Sequence, residues 1–283
     1  MGARVAVNPS GAAVVVWERW SQRADTSALM LARRPAGGTW TAPEALVVLP
    51  ARETRLAPAV GIDAAGRFTV AWHRDGVSAA TGTVAAGAGA PRRLGAGGGT
   101  GVAVAAAGER ALIVWARTGP RGDVPVASLR RGAGRPGAAR TLDTPRRGRT
   151  VDRVAAAAGP DGTLSAAWAV GSGPAVAYRA AIAAPGGRPG AARVLTRFNR
   201  RPVGVSPFGT AVGPDGTVAV AWRQSGRVEV ALAPPSEPFG TPIVLGSSSA
   251  EGTGDLVGTE RGALVAWSGG GRVRISTVTA PPA

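Results

Sequence analysis

The chain contains no cysteine, which excludes disulfides, thiol catalysis and thiolate metal sites together and leaves its redox compartment open. It contains no lysine: all 33 cationic side chains are arginine, so a Walker A phosphate loop and any Schiff-base or pyridoxal chemistry are ruled out. One histidine and one tyrosine are present among 283 residues. A single His73 cannot build a histidine-rich metal site, and no G-x-S-x-G elbow supplies a nucleophile for it, so it reads as a surface histidine. No cofactor is expected. No long apolar run marks a signal peptide or membrane span, because strand-like sequence begins at Arg4-Val5-Ala6-Val7. Gly2 does not read as a myristoylation site, since Ala6 stands where a hydroxyl residue is needed.

What is abundant is glycine, 43 residues, and proline, 23, together with valine and alanine. That composition favours short strands and tight turns over helices. The formal charge of +16 attracts polyanions, nucleic acid included, at low salt, but attraction of that kind is non-specific. An all-arginine skew is also what GC-rich coding would produce.

The dominant signal is a repeat. Short apolar runs end in Trp17, Trp72, Trp115, Trp168, Trp222 and Trp267, spaced 43 to 55 residues apart. Before each lies a small, apolar first strand and a turn, among them Asn8-Pro9-Ser10-Gly11, Asp63-Ala64-Ala65-Gly66, Pro160-Asp161-Gly162 and Pro214-Asp215-Gly216. Proline presets φ there, glycine takes the left-handed position and aspartate caps the hairpin. In the third and sixth repeats the glycine shifts by one, to Gly108 and Gly262, which predicts a different loop or bulge. A third and a short fourth strand follow each tryptophan. The reading is one all-β domain over 1–283: a six-bladed β-propeller of four-stranded blades, with repeats near 1–50, 51–97, 98–143, 144–196, 197–246 and 247–283. The last blade lacks its outermost strand, which is the expectation of an upstream extension that pairs there.

The unit of Pro-Asp-Gly turn, apolar strand, tryptophan, third strand and Gly-Gly-x-Trp resembles the degenerate repeats of secreted bacterial propellers related to the sialidase (BNR/Asp-box) superfamily. The stretch that carries it best is Arg34-Pro35-Ala36-Gly37-Gly38-Thr39-Trp40-Thr41-Ala42-Pro43, similar to the Asp-box turn but without its aspartate. In the other units even the tryptophan of that turn is gone. The resemblance implies location outside the cell or at the envelope of a bacterium. It also implies a sialidase site of an arginine triad, a tyrosine nucleophile with a glutamate partner and an aspartate acid/base. Tyr178 is the sole tyrosine, in Ala175-Val176-Ala177-Tyr178-Arg179, and its plainer reading is a side chain packed between blades.

Loops between second and third strands share one end with the connections between repeats, and this is where propeller sites sit. Arg146, Arg147 and Arg200 fall there, as do Arg52, Arg55, Arg121, Arg149, Arg197 and Arg201, with aromatic Trp20 and Phe198 among them. Flat rings beside guanidinium forks suit a sugar carboxylate or phosphate. Arg19, Arg74 and Arg117 each stand two residues after a tryptophan in consecutive repeats, so they occupy equivalent positions and could clamp one carboxylate. Arg121-Gly122-Asp123 matches an integrin-type tripeptide by chance composition, and Gly95 to Gly101 is a connector, not a dinucleotide loop. Two functions remain: a monomeric, non-catalytic binding or scaffold module for an acidic glycan or a protein partner, and a sialidase-like exo-glycoside hydrolase.

Overall fold

The computed structural model describes residues 2–21, 24–50, 56–96, 101–144, 146–172, 175–199, 207–247, 254–269 and 271–280. Every regular element among them is a β-strand. The strands follow one another as up-and-down meanders. The first is β1 (Arg4–Val7), β2 (Ala13–Ser21), β3 (Thr26–Arg34) and β4 (Glu44–Pro50); the second β5 (Ala59–Ile62), β6 (Arg67–His73), β7 (Val77–Thr83), β8 (Gly87–Ala88) and β9 (Arg92–Gly95). The third is β10 (Val102–Ala107), β11 (Arg110–Gly119), β12 (Gly122–Arg131) and β13 (Arg140–Thr141); the fourth β14 (Arg149–Ala158), β15 (Leu164–Ser172), β16 (Ala175–Ala183) and β17 (Arg193–Phe198). The fifth is β18 (Pro207–Val212), β19 (Val218–Gln224), β20 (Arg227–Ala233) and β21 (Ile243–Ser247), and the sixth β22 (Gly254–Thr259), β23 (Gly262–Gly269) and β24 (Arg272–Thr279). Pairing within each meander is antiparallel between neighbours, and a single parallel bridge, Gly122 to Arg149, joins the third meander to the fourth in one sheet.

The chain divides into two compact units, Met1–Arg117 with Val126–Arg140, and Thr118–Pro125 with Thr141–Ala283. In the first unit Val14, Val16, Leu29, Leu31, Phe68, Val70 and Trp72 form one core cluster that joins the first two meanders. In the second, Trp222 and Val220 pack with Ala167, Ala169 and Tyr178, while Trp267 and Val265 pack with Val228 and Val230. Trp72, Trp222 and Trp267 therefore each pack against the meander before them, which explains why the strands that carry them are apolar on both faces. Five of the six tryptophans are buried; Trp17 is half-buried.

The turns between first and second strands are built alike in four meanders. Asn8 N–H donates to the Ala12 carbonyl and Gly11 N–H to the Asn8 carbonyl, and the same two bonds recur at Asp63/Arg67, Gly159/Thr163 and Gly213/Thr217. A carboxylate or amide always fills the turn, but from two different positions. Asn8 and Asp63 cap it from the first residue. In the fourth and fifth meanders that residue is Gly159 or Gly213, and the acid is Asp161 or Asp215, whose Oδ1 accepts from the N–H two residues on and whose Oδ2 accepts from the threonine hydroxyl there. A Cβ on Gly159 would stand 2.7 Å from Asp161 Oδ1, and one on Gly213 would stand 2.9 Å from Asp215 Oδ1, so glycine is required where the acid moves. The third and sixth meanders use two-residue turns, Gly108-Glu109 and Glu260-Arg261, the different loop that their shifted glycine predicts.

These turns also join neighbours. Asn8 Nδ2 donates to the Asp63 carbonyl at 3.0 Å, and Asp215 Oδ2 accepts from Arg261 N–H at 3.0 Å. Asp63, with its side chain fully buried, receives Arg67 Nε at 2.9 Å and Arg130 Nη2 at 3.3 Å, and Arg67 goes on to Glu109. The turn between third and fourth strands recurs too. A bond spanning eight residues closes it in five meanders, Thr41 to Arg33, Gly89 to Thr81, Gly137 to Leu129, Gly190 to Ile182 and Gly240 to Leu232. It needs no aspartate, and the stretch from Arg34 to Pro43 closes through it as the other four turns do. There Arg34 lies over the Trp40 ring at 5.5 Å.

The first strand of the fourth meander, β14, is long, running from Arg149 to Ala158. A register shift between Val151 and Arg153 admits the extra residue Asp152, and Asp123 Oδ2 holds this segment by accepting from Val151 N–H.

Candidate binding surface

In an up-and-down meander the connections between second and third strands lie at the same end as those that lead to the next meander. In the first unit this end carries Glu18, Arg19 and Trp20 of β2, His73 at the end of β6 with Arg74 to Gly76 after it, and Arg117 of β11. Arg19 is exposed, and Trp20 is 49% exposed, high for an indole and the mark of a ring that packs on no core. Glu18 is committed to structure, since its Oε1 accepts from Ala57 N–H at 2.9 Å. Arg74 stands in the turn after β6, its Nε 4.0 Å from an Asp75 carboxylate that is itself well exposed. Arg117 is half-buried in β11. Arg19 and Arg117 thus stand within strands and Arg74 in the turn after one, and they differ in exposure, Arg19 open and the other two half-buried. His73 is half-buried, with Nε2 shielded from solvent and unbonded among the described residues, which differs from the surface position expected of it.

In the second unit the same end is more tightly built. Arg149 and Arg179 converge on one carboxylate: Arg179 Nη1 lies 2.7 Å from Asp143 Oδ1 and Arg149 Nη1 3.0 Å from Oδ2, with all three side chains at most 10% exposed. Burial pushes the Arg149 guanidinium below its usual range against the pull of Asp143. Arg149 is therefore a structural cation, not the loop cation expected of it. Arg146 and Arg147 beside it are exposed. Arg121 is exposed, but Gly122 and Asp123 belong to the frame: Gly122, at φ +105°, bridges to Arg149, and Asp123 Oδ1 accepts from the Thr118 hydroxyl at 2.7 Å. The tripeptide is a structural corner.

Tyr178 is 1% exposed. Its ring stacks on Trp222, centroids 5.5 Å apart, and meets the tilted Phe198 ring at 5.7 Å. Its hydroxyl donates to the Arg223 carbonyl at 2.8 Å. Burial raises its pKa well above the ordinary tyrosine value, outweighing the nearby Arg223. Such a phenol is neither reachable nor ionisable as a nucleophile. Phe198, half-buried against it, is a packing residue. Close by, Trp222 Nε1 donates to Glu229 Oε2 at 3.2 Å, and burial raises the Glu229 carboxyl despite that bond and Arg227. Glu229 escaped the sequence reading because it sits mid-strand in Val228-Glu229-Val230 with no motif around it.

Arg200, with Arg52, Arg55 and Arg201, lies outside the described residues. Among the described residues no group of three or more acidic or histidine side chains could hold a metal, and no helix is long and apolar enough to cross a membrane.

No family model matches the sequence, and no curated protein matches it. Solved structures share the fold at low identity. The α-L-arabinanase of Penicillium chrysogenum, solved with arabinobiose, aligns with a TM-score of 0.56 at 14% identity over 98% of this chain and 92% of that one. A protein of unknown function from Dyadobacter fermentans aligns at 0.55 and 14% identity over 97% and 92%. The GH93 α-L-arabinofuranosidase of Fusarium graminearum, also with arabinobiose, aligns at 0.51 and 12% identity over 97% and 91%. At such identities the likeness is one of fold: this chain is similar to these all-β, propeller-like proteins in the course of its backbone.

Proposed function

We propose that the chain is a non-catalytic propeller module whose six meanders are six blades, related to the sialidase superfamily, and whose loop end binds an acidic glycan or a protein partner outside the cell or at a bacterial envelope. The observation that carries this reading is Trp20, an indole 49% exposed near the end of β2, where the connections to the next meander also lie. A flat apolar ring so open offers a sugar a stacking face, and a guanidinium at the same end of the meanders would suit its carboxylate. Arg74 and Arg117 extend the cationic character of that end within the same unit. The two arabinose-directed neighbours favour a carbohydrate over other ligands.

The hydrolase reading draws on the same neighbours and on the raised carboxyl of Glu229. Against it stands the committed hydroxyl of Tyr178, which removes the nucleophile that a sialidase-type step needs. A panel of acidic and neutral glycans, read at low and near-physiological salt with a nucleic-acid control, separates the possibilities. A defined glycan retained at the higher salt supports the module. Turnover of a fluorogenic glycoside overturns it, and uniform polyanion binding that vanishes with salt removes the recognition claim.

A further inference from the structure

The indole N–H of the repeating tryptophan finds an acceptor in three meanders. Trp115 Nε1 donates to the Ala96 carbonyl and Trp267 Nε1 to the Ser247 carbonyl, each at or just after the last strand of the preceding meander, while Trp222 Nε1 donates to Glu229, its partner on the next strand. The fourth meander breaks this pattern. Trp168 is fully buried, and among the described residues its Nε1 has no acceptor. Its cross-strand partner is Arg179, so a second donor stands where the fifth meander places a carboxylate. Arg179 is 8% exposed, and its Nε is likewise buried and unbonded among the described residues. A buried donor without an acceptor is costly, and two of them on directly opposed residues of one sheet face point to an acceptor from outside the chain.

Charge points the same way. Arg149 lies on the same face, since it pairs with Ser172, an even number of residues from Trp168 on β15. Arg149 and Arg179 share the one carboxylate of Asp143, which also accepts from Thr144 N–H. Two guanidiniums against one carboxylate leave a positive charge uncompensated where all three side chains are at most 10% exposed, and Arg146 adds to the field at Arg149. Buried charge of that kind is destabilising unless it is countered. We propose that the fourth meander binds one small monovalent anion of halide size between Trp168 and Arg179, held by the indole N–H and the Arg179 Nε–H. Its charge balances the guanidinium that Asp143 leaves over. Its size follows from burial, because a sugar acid or a phosphate ester is too large to sit among side chains so little exposed. The ion is structural and fastens β15 and β16 beneath the connection that brings in Asp143. This site does not depend on the glycan reading of the loop end.

The test is the melting temperature of the full chain at fixed ionic strength as sodium chloride replaces sodium gluconate, whose anion carries the same charge but is too large for the site. A saturable rise of about 2–4 °C is expected once chloride reaches several times its dissociation constant. Trp168→Phe keeps a buried ring and removes one donor, so the half-saturating chloride concentration should rise about tenfold. Arg179→Gln leaves Asp143 paired with Arg149 alone and should abolish the response. Arg188→Gln, which removes the same charge from an exposed position in the turn after β16, should leave it intact. Absence of a chloride-specific rise would overturn the proposal, as would an undiminished response in Trp168→Phe or an equal loss in Arg188→Gln. Should Arg179→Gln fail to fold, Trp168→Phe decides the matter alone.

Discussion

The hydroxyl of Tyr178 donates to the main-chain carbonyl of Arg223 at 2.8 Å, fastening the third strand of one meander to the second strand of the next. With Trp222 stacked on its ring, this tyrosine is a rivet in the second unit's core. Tyr178→Phe should keep the stack and lose one hydrogen bond, about 0.5–1.5 kcal/mol of stability. Tyr178→Ala should cost about 3–5 kcal/mol, in the range of large aromatic truncations. Urea unfolding curves measure both.

Asp63 holds together more of the first unit than any other acid. Its removal would leave Arg130, whose side chain is 1% exposed, buried with its nearest countercharge gone. Asp63→Ala should therefore destabilise the protein by about 3–5 kcal/mol, the usual cost of breaking a buried pair from one side. Arg130→Met with Asp63→Asn should recover much of the loss. Differential scanning calorimetry on the three variants tests this, and a double variant no better than the single would contradict it.

Gly213 has no room for a side chain. A Cβ there would meet the Thr259 carbonyl oxygen at 2.2 Å as well as Asp215 Oδ1. Gly213→Ala should cost about 1–3 kcal/mol by forced displacement. Gly11, whose added Cβ meets nothing, sits at φ +83° and should suffer only from backbone conformation. Comparing the melting temperatures of the two alanine variants separates steric from conformational cost.

Two carboxyls give opposite pH signatures. Burial pushes Asp215 up, but hydrogen bonds from the Thr217 backbone and hydroxyl and from Arg261 N–H outweigh it and hold the carboxyl below its ordinary range. A depressed acid contributes stability that is present above its unfolded pKa and lost as pH falls through the folded value, so Asp215→Asn should matter at neutral pH and not in strong acid. Glu229 is raised, mainly by burial. Its charged form is disfavoured in the fold, so its cost appears as pH rises past the unfolded carboxylate range. Glu229→Gln should then raise the melting temperature at neutral pH and leave it unchanged well below that range.

The repeat was legible because it is written in residues that physics restricts. Tryptophan at the end of an apolar strand and Asn-Pro-Ser-Gly or Pro-Asp-Gly before it leave few structural options, and all six tryptophan strands formed where read. The turn after the third strand was only partly legible. Its eight-residue bond depends on backbone course, so it persists at Gly190 and Gly240 where no motif survives. The charge network was not legible. Arg149 and Arg179 look like any other arginines in an arginine-rich chain, and only the fold brings Asp143 between them. For the same reason Glu229 is not legible, while Arg19, Arg74 and Arg117 share a fixed step from tryptophan that marks their position in the repeat and not a function.

The most direct test of the proposed function is the affinity of the intact chain for acidic glycans at near-physiological salt, measured beside a variant with Arg19, Arg74 and Arg117 all changed to glutamine. The account predicts a defined glycan that binds without turnover and is lost in the triple variant, whose melting temperature stays close to that of the parent. Equal binding by parent and variant, or cleavage of the glycan by either, would contradict it.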